Sequence, residues 1–96
     1  MKKNPSHTSH ETLNKLIFIA SKAVKVGGVY RHYKYPKRKY KVLMLAIQED
    51  SQKVCVLYQD IARSDAPPFV RNLESWEETV EWEGVITPRF TPIETQ

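Results

Sequence analysis

The stretch GVYRHYKYPKRKYKVLMLAI, residues 28–47, contains the pattern that decides the fold. Two of its segments, VYRHYKY at 29–35 and KYKVLMLAI at 39–47, are rich in the β-branched and aromatic residues that favour strands. Pro36 lies between them, and proline starts a turn well but interrupts a central strand. We therefore predict a β-hairpin whose connecting turn is strongly cationic.

More short strands follow the hairpin, and polar turns separate them. The predicted strands are VCVLYQ at 54–59, FVRNL at 69–73, and two segments near 80–82 and 85–87 joined by a tight Glu83-Gly84 turn. Short strands without intervening helices indicate a small antiparallel barrel or a strongly bent sheet. The sequence thus predicts a mainly β fold, with an SH3-like barrel preferred to the longer OB-type barrel.

A single helix is predicted before the hairpin. Thr8 and Glu11 have the spacing of a capping box, in which a hydroxyl and a carboxylate satisfy the first backbone N–H groups. An apolar stripe at helical spacing follows, formed by Leu13, Leu16, Ile17, Ala20, Ala23 and Val24. Gly27-Gly28 is a stop signal, so we predict a helix over about residues 10–25.

These segments divide the chain into three parts. We expect residues 1–26 to form a basic tail and the N-terminal helix, residues 27–91 a small β-barrel domain, and residues 92–96 a tail. A length of 96 residues corresponds to one domain with one modest core.

Charge is distributed unevenly along the chain. The net charge of +4 combines +10 over residues 1–41 with −6 over residues 42–96. Such polarity favours an anionic partner on the basic side. The alternative is that the two halves lie side by side and neutralise each other.

Cys55 is the single cysteine, which excludes an intramolecular disulfide and offers no metal framework. A lone cysteine fits a reducing compartment. The apolar run at 16–20 is too short for a signal-peptide core or a membrane span. We expect a cytoplasmic location, no membrane partner and no cofactor.

Several landmarks resemble one protein family. Residues 28–34, GVYRHYK, are similar to the G-x-Y-R-H-(Y/F)-K signature of small, mostly bacterial domains of unknown function, the DUF1653 family. Further similar motifs occur in the same order, namely YKVL at 40–43, VLY at 56–58, FVRNL at 69–73 and PRF at 88–90. The resemblance spans about residues 27–91 and implies the fold and its boundaries, but no activity.

No residues form a catalytic signature. A triad could draw on Ser64 or Cys55, His32, and Asp60 or Asp65, yet no local motif surrounds any of them. The glutamates after residue 73 have the pattern of a solvated acidic face, and His7 and His10 lack a third metal ligand nearby. The sequence therefore predicts a binding domain rather than an enzyme.

The basic aromatic hairpin is the first candidate site. Cations that follow phosphates and aromatic rings that stack on bases are typical of single-stranded nucleic-acid binding. The candidate residues for nucleic acid or another polyanion are Tyr30, Arg31, Lys34, Tyr35, Lys37, Arg38, Lys39 and Lys41. Because strand alternation puts tyrosines on both faces, some of them must lie in the core.

Two alternatives remain open. A small anionic, nucleotide-like ligand could be held where four family-landmark residues converge, namely Arg31, His32, Tyr58 and Arg71. The competing interpretation is that these arginines, like Arg89, pair with the many acids. A protein-interaction module would instead need an exposed tryptophan groove, whereas Trp76 and Trp82 are predicted to fill the core or seal a barrel end.

Overall fold

The structure is a computed structural model that describes residues 9–93. The predicted capping residue Thr8, the rest of the basic tail, and residues 94–96 lie outside the described residues. The elements in chain order are α1 (His10–Ala23), β1 (Val29–His32), β2 (Lys39–Gln48), β3 (Lys53–Asp60), β4 (Phe69–Asn72), α2 (Leu73–Trp76), β5 (Thr79–Trp82), β6 (Val85–Pro88) and β7 (Phe90–Pro92).

Helix α1 begins at His10, which is one residue later than a capping box with Thr8 as the N-cap would require. Ser9 is the N-cap, and its hydroxyl accepts a hydrogen bond from the backbone N–H of Thr12 at 3.2 Å. On the predicted stripe, Ala20 and Val24 are buried, whereas Leu16 is 38% exposed. The helix therefore uses a narrower apolar face than its composition suggested.

The glycine pair shapes a turn and does not end the helix. The chain already becomes extended at Val24, and the N–H of Lys25 donates to the Tyr30 hydroxyl at 3.0 Å. Gly27 has φ +85°, a left-handed conformation that suits glycine, and its N–H donates to the carbonyl of Val42. A Cβ on Gly28 would lie 2.9 Å from the Lys25 carbonyl oxygen, so the turn also needs glycine there.

The strands form a five-stranded antiparallel sheet of order β4-β3-β2-β1-β7 and a separate β5–β6 hairpin. Strand β2 carries a bulge between Val42 and Met44, which bends the sheet locally. Mainly β structure with an N-terminal helix is thus confirmed. Within residues 9–93 no strand pairing closes the sheet, so closure into an SH3-like barrel is not confirmed.

The core is largely aromatic and lies on one face of the five-stranded sheet. The Trp76 ring stacks on Phe90 at 3.7 Å between centroids and 8° between planes. It also meets Tyr30 and Tyr58 edge-on at 5.2 and 5.0 Å. The prediction that Trp76 fills the core is confirmed, and the short α2 turn is what carries it there.

Candidate functional site

Tyr30 is predicted to belong to the nucleic-acid surface, but the structure places it in the core. Only 6% of it is exposed, and its hydroxyl accepts the Lys25 N–H in the core. Its ring therefore cannot stack on a base, and Tyr30 is removed from the candidate surface. The prediction that some hairpin tyrosines are core residues is confirmed by Tyr30 and Tyr40.

Three of the predicted cations share the sheet face opposite the core. Arg31 pairs with Lys39 across the β1–β2 ladder, and Lys41 follows Lys39 by two residues. Directly paired residues, and residues two apart in one strand, point to the same side of a sheet. Arg31, Lys39 and Lys41 are all exposed, and we call them the basic face.

The remaining predicted residues occupy the loop between β1 and β2. Its turn is closed by the Arg38 N–H, which donates to the Tyr35 carbonyl at 2.9 Å, as the proline signal predicted. Tyr35 is 43% exposed, and its ring centroid lies 4.8 Å from the Arg38 guanidinium and 5.6 Å from the centroid of the His32 ring. Lys34 and Lys37 are exposed beside it.

A cavity of about 230 Å³ opens on the core face beside this loop. We call it the aromatic cavity, and its lining residues are His32, Tyr35, Tyr40, Tyr58, Phe69, Arg71 and Phe90. Three of the four residues predicted for an anionic pocket thus meet there. Arg31 does not, because it belongs to the basic face on the other side of β1.

Arg71 is the cation of the aromatic cavity. Its Nε–H donates to the Tyr58 hydroxyl at 3.4 Å and its Nη1 to the Ser75 hydroxyl at 2.8 Å. The guanidinium lies 5.7 Å from the Phe90 ring centroid. No carboxylate within residues 9–93 forms an ion pair with it, contrary to the interpretation in which the acids neutralise this arginine.

Arg89 does fit that interpretation. Its Nη2 donates to a Glu78 carboxylate oxygen at 2.9 Å, and its Nε donates to the Ser75 carbonyl at 2.9 Å. These bonds tie the segment before β7 to α2. Arg89 therefore stabilises the fold, whereas part of the Arg71 guanidinium can still donate hydrogen bonds to a ligand.

His32 forms another wall of the aromatic cavity. Burial lowers its pKa below the ordinary 6.5, and the positive charges of Arg71, Arg89 and Lys34 lower the pKa further. The backbone N–H of Lys34 donates to Nδ1 at 3.1 Å. The neutral imidazole therefore carries its proton on Nε2 and can donate one hydrogen bond.

Two other hollows lie nearby. One of about 120 Å³, which we call the arginine cavity, is lined by Arg38, Tyr40, Asp60, Arg63, Ala66, Pro67 and Phe69. A broader hollow of about 710 Å³ runs along β3 and β4 past the buried Cys55. Arg71 lines this hollow too, but no aromatic residue does. The aromatic cavity, in which the same cation lies among rings, is therefore the better candidate.

The comparisons with known proteins agree with the sequence motifs. The family model described as "Protein of unknown function (DUF1653)" matches residues 28–92. The chain belongs to the DUF1653 family. A crystal structure of a DUF1653 protein from Bordetella bronchiseptica is similar, with 38% sequence identity, a TM-score of 0.60, and coverage of 70% of this chain and 85% of that chain.

The family assignment identifies no activity. None of the curated proteins matches the chain. None of the helices among the described residues is long and apolar enough to cross a bilayer. The features that bear on function are therefore the cavities and the charged surfaces.

Sequence reasoning missed part of the site. Phe69 and Phe90 line the aromatic cavity, whereas the sequence places them only in family landmarks. A signal was present, because Phe69 and Arg71 belong to one family landmark and Phe90 to another. Arg63 carried no signal, since an isolated arginine in a polar loop is typical of solvent-exposed turns.

Proposed function

We propose that this DUF1653 domain is a non-catalytic binding domain whose aromatic cavity takes the base of a nucleotide. The observation that carries the proposal is Arg71, a fixed guanidinium without a carboxylate partner within residues 9–93, set among aromatic rings. Arginine forms bidentate bonds with phosphate, and aromatic side chains stack on bases of any sequence.

The charge of the cavity argues for an anionic ligand. Aromatic cages also bind quaternary ammonium groups, because the faces of the rings are negative. Here Arg71 lies within the wall, and Arg89 and Lys34 are close enough to lower the pKa of His32. A cationic ligand would be repelled, whereas a phosphate would be attracted.

The size of the cavity limits what it can enclose. Sites for drug-sized ligands have volumes of about 300–1,000 Å³, and the aromatic cavity has about 230 Å³. One base fits this volume better than a complete nucleotide does. The sugar and phosphate would then lie at the opening, beside Arg71.

Titration of the ¹⁵N-labelled protein with the four nucleoside 5′-monophosphates tests the proposal. We expect shifts of the Phe69 and Arg71 amides with Kd of about 1 mM or tighter, which corresponds to about −4 kcal/mol or better. The uncharged nucleosides should bind at least about tenfold more weakly. Arg71→Gln should reduce binding about tenfold or more, because a charge-assisted hydrogen bond contributes about 1.5–3 kcal/mol.

Arg31→Gln is the matched control, because it removes the same charge from the opposite face of the sheet. Circular dichroism of each variant checks the fold. The proposal is wrong if nucleotides and nucleosides bind equally, or if Arg31→Gln weakens binding as much as Arg71→Gln. It is also wrong if no nucleotide binds at a concentration about tenfold above the expected Kd.

A second candidate function is contact with a polyanion through the basic face and the β1–β2 loop. The convergence of Arg31, Lys39 and Lys41 on one side of the sheet favours it, as does the charge of +10 over residues 1–41. Fluorescence anisotropy with single- and double-stranded oligonucleotides at two salt concentrations tests it. A contact of this kind weakens steeply as salt rises.

A further inference from the structure

The arginine cavity adjoins the aromatic cavity. Tyr40 and Phe69 line both, so the two rings form the partition between them. Two groups that occupy the two cavities would therefore be separated only by the side chains of Tyr40 and Phe69. Arg38 and Arg63 line only the smaller cavity.

The structure holds the side chain of Arg38 and the backbone of Arg63 before any ligand arrives. The Arg38 guanidinium packs over the Tyr35 ring at 4.8 Å. Arg63 belongs to the loop after β3, where its N–H donates to the Asp60 carbonyl at 3.1 Å and its own carbonyl accepts from the Ala66 N–H at 2.9 Å. Preorganised donors lose less freedom on binding than mobile surface side chains do.

A side chain from the sheet anchors the same loop. The amide Nε2 of Gln59 donates to the carbonyls of Ala66 and Ser64 at 2.7 and 3.3 Å. The loop residues that line the cavity, Ala66 among them, are thereby tied to β3. The arginine cavity is a feature of the folded sheet rather than of a free loop.

The charge balance of the arginine cavity is positive. Asp60 is the one acid in its lining, and its carboxylate accepts the backbone N–H of Ala62 at 2.9 Å. Neither Arg38 nor Arg63 forms an ion pair with a carboxylate in the part of the chain that the structure describes. Two guanidinium groups around one small opening favour a phosphate, which both forks can bind.

We propose that the arginine cavity binds a phosphate group, so that the complete site holds one nucleotide with a phosphate on each side. One phosphate lies at Arg71, the base lies in the aromatic cavity, and the second phosphate lies between Arg38 and Arg63. This arrangement occurs at every internal position of a nucleic-acid strand. The inference rests on the proposed function for the base, and it identifies the ligand class as an oligonucleotide rather than a free mononucleotide.

Nucleoside 3′,5′-bisphosphates are the smallest probes of this arrangement. We expect a 3′,5′-bisphosphate to bind about tenfold tighter than the tighter of the matching 5′- and 3′-monophosphates, a difference of about 1.4 kcal/mol. Arg63→Ala should remove most of this advantage without changing the affinity for the monophosphate held at Arg71. Arg38→Ala should also remove the advantage, but it uncovers the Tyr35 ring that lines the aromatic cavity and should therefore weaken monophosphate binding as well. Arg31→Ala, on the basic face, is the matched control and should change neither affinity.

Two further titrations separate the sources of the phosphate. A trinucleotide should bind at least as tightly as the bisphosphate if the site holds a strand, and more weakly if only a free bisphosphate fits. Inorganic pyrophosphate alone should shift the amides of Arg63 and Ala66 in the wild type but not in the Arg38→Ala/Arg63→Ala variant. That readout does not depend on base binding.

The outcomes distinguish the two proposals. Equal affinity for the bisphosphate and a monophosphate in the wild type overturns the phosphate subsite and leaves the base cavity intact. Pyrophosphate shifts without nucleotide binding overturn the base cavity and support the phosphate subsite. If neither pyrophosphate nor any nucleotide shifts these amides, both proposals are wrong.

Discussion

The aromatic cavity and the basic face lie on opposite sides of the same two strands, β1 and β2, and they differ in how their cations are held. In the cavity, the hydroxyls of Tyr58 and Ser75 fix the Arg71 fork beside the Phe90 ring. On the basic face, Arg31 and its neighbours are exposed to solvent. A fixed fork can select the shape of a ligand, whereas exposed charges mainly attract any polyanion.

The two regions also differ in how closely they are coupled to the stability of the fold. The cavity wall is continuous with the core, because Phe90 belongs to both the wall and the central stack on Trp76. Ligand recognition there is coupled to the stability of the fold. Within residues 9–93 the side chains of the basic face form no ion pair, so they can change without affecting the core.

The largest expected effect tests this coupling. Trp76→Ala should lower the free energy of unfolding by about 3–5 kcal/mol, because it removes a large buried ring and leaves a cavity. The residue is 4% exposed and stacks on Phe90. Urea denaturation followed by circular dichroism measures the loss.

Trp82 provides the matched control for that measurement. It is 37% exposed and meets Tyr33 edge-on at 5.4 Å, so Trp82→Ala should lower the free energy of unfolding by less than about 1.5 kcal/mol. A joint Arg31→Ala/Lys39→Ala/Lys41→Ala variant should have almost unchanged stability. If that variant were as unstable as Trp76→Ala, the separation between cavity and basic face would not hold.

Local chemistry made some elements predictable. Pro36 indicated the β1–β2 turn, and Glu83-Gly84 indicated the β5–β6 turn, where φ is +52° and +79°. These signals work because a turn is decided by its own residues. Strand β7 was missed because it forms by pairing with the distant β1, and α2 was missed because it is a single four-residue helical turn between strands.

The site was less predictable than the fold. Alternation along β1 showed that its tyrosines divide between two faces but not which face is buried, since both carry aromatic and charged residues. Burial of Tyr30 follows from its pairing with Tyr40 and from the Lys25 N–H, neither of which a single strand encodes. Likewise, whether Arg71 meets a carboxylate depends on where the acidic segments fold.

The second-largest expected effect concerns the salt dependence of oligonucleotide affinity, which should differ between the basic face and the aromatic cavity. For an oligonucleotide bound to the basic face, neutralising Arg31, Lys39 and Lys41 should reduce the slope of log K against log salt by about 2, since each single-strand phosphate contact contributes about 0.7. For an oligonucleotide held at the aromatic cavity, Arg71→Gln should reduce the slope by only about 0.7, the contribution of a single phosphate contact. Fluorescence anisotropy at several salt concentrations measures both quantities.

Equal slopes for the wild type and the triple variant would show that the basic face makes no phosphate contacts. A loss of slope of about 2 on changing Arg71 alone would contradict the assignment of a single cation to the cavity wall. Either result would revise the division of roles between the two faces.

The smallest expected effect concerns His32 and the pH dependence of stability. The pKa of His32 in the folded protein lies below its ordinary 6.5, first because of burial and then because of Arg71, Arg89 and Lys34. The unfolded chain therefore binds more protons than the folded protein as pH falls below 6.5, so the free energy of unfolding decreases across that interval. Thermal unfolding of the wild type and His32→Gln between pH 7.5 and pH 5 isolates this contribution as the difference between their slopes.

A bound phosphate makes this measurement specific to the aromatic cavity. A negative charge beside His32 favours the imidazolium and raises its pKa, so affinity for a phosphodiester should increase as pH falls below 6.5 in the wild type and change less in His32→Gln. Phosphodiesters keep a constant charge over this range, so the protein alone supplies the dependence. The same affinity gain in His32→Gln would place the phosphate elsewhere, because His32 has no counterpart on the basic face, whose members are two lysines and an arginine.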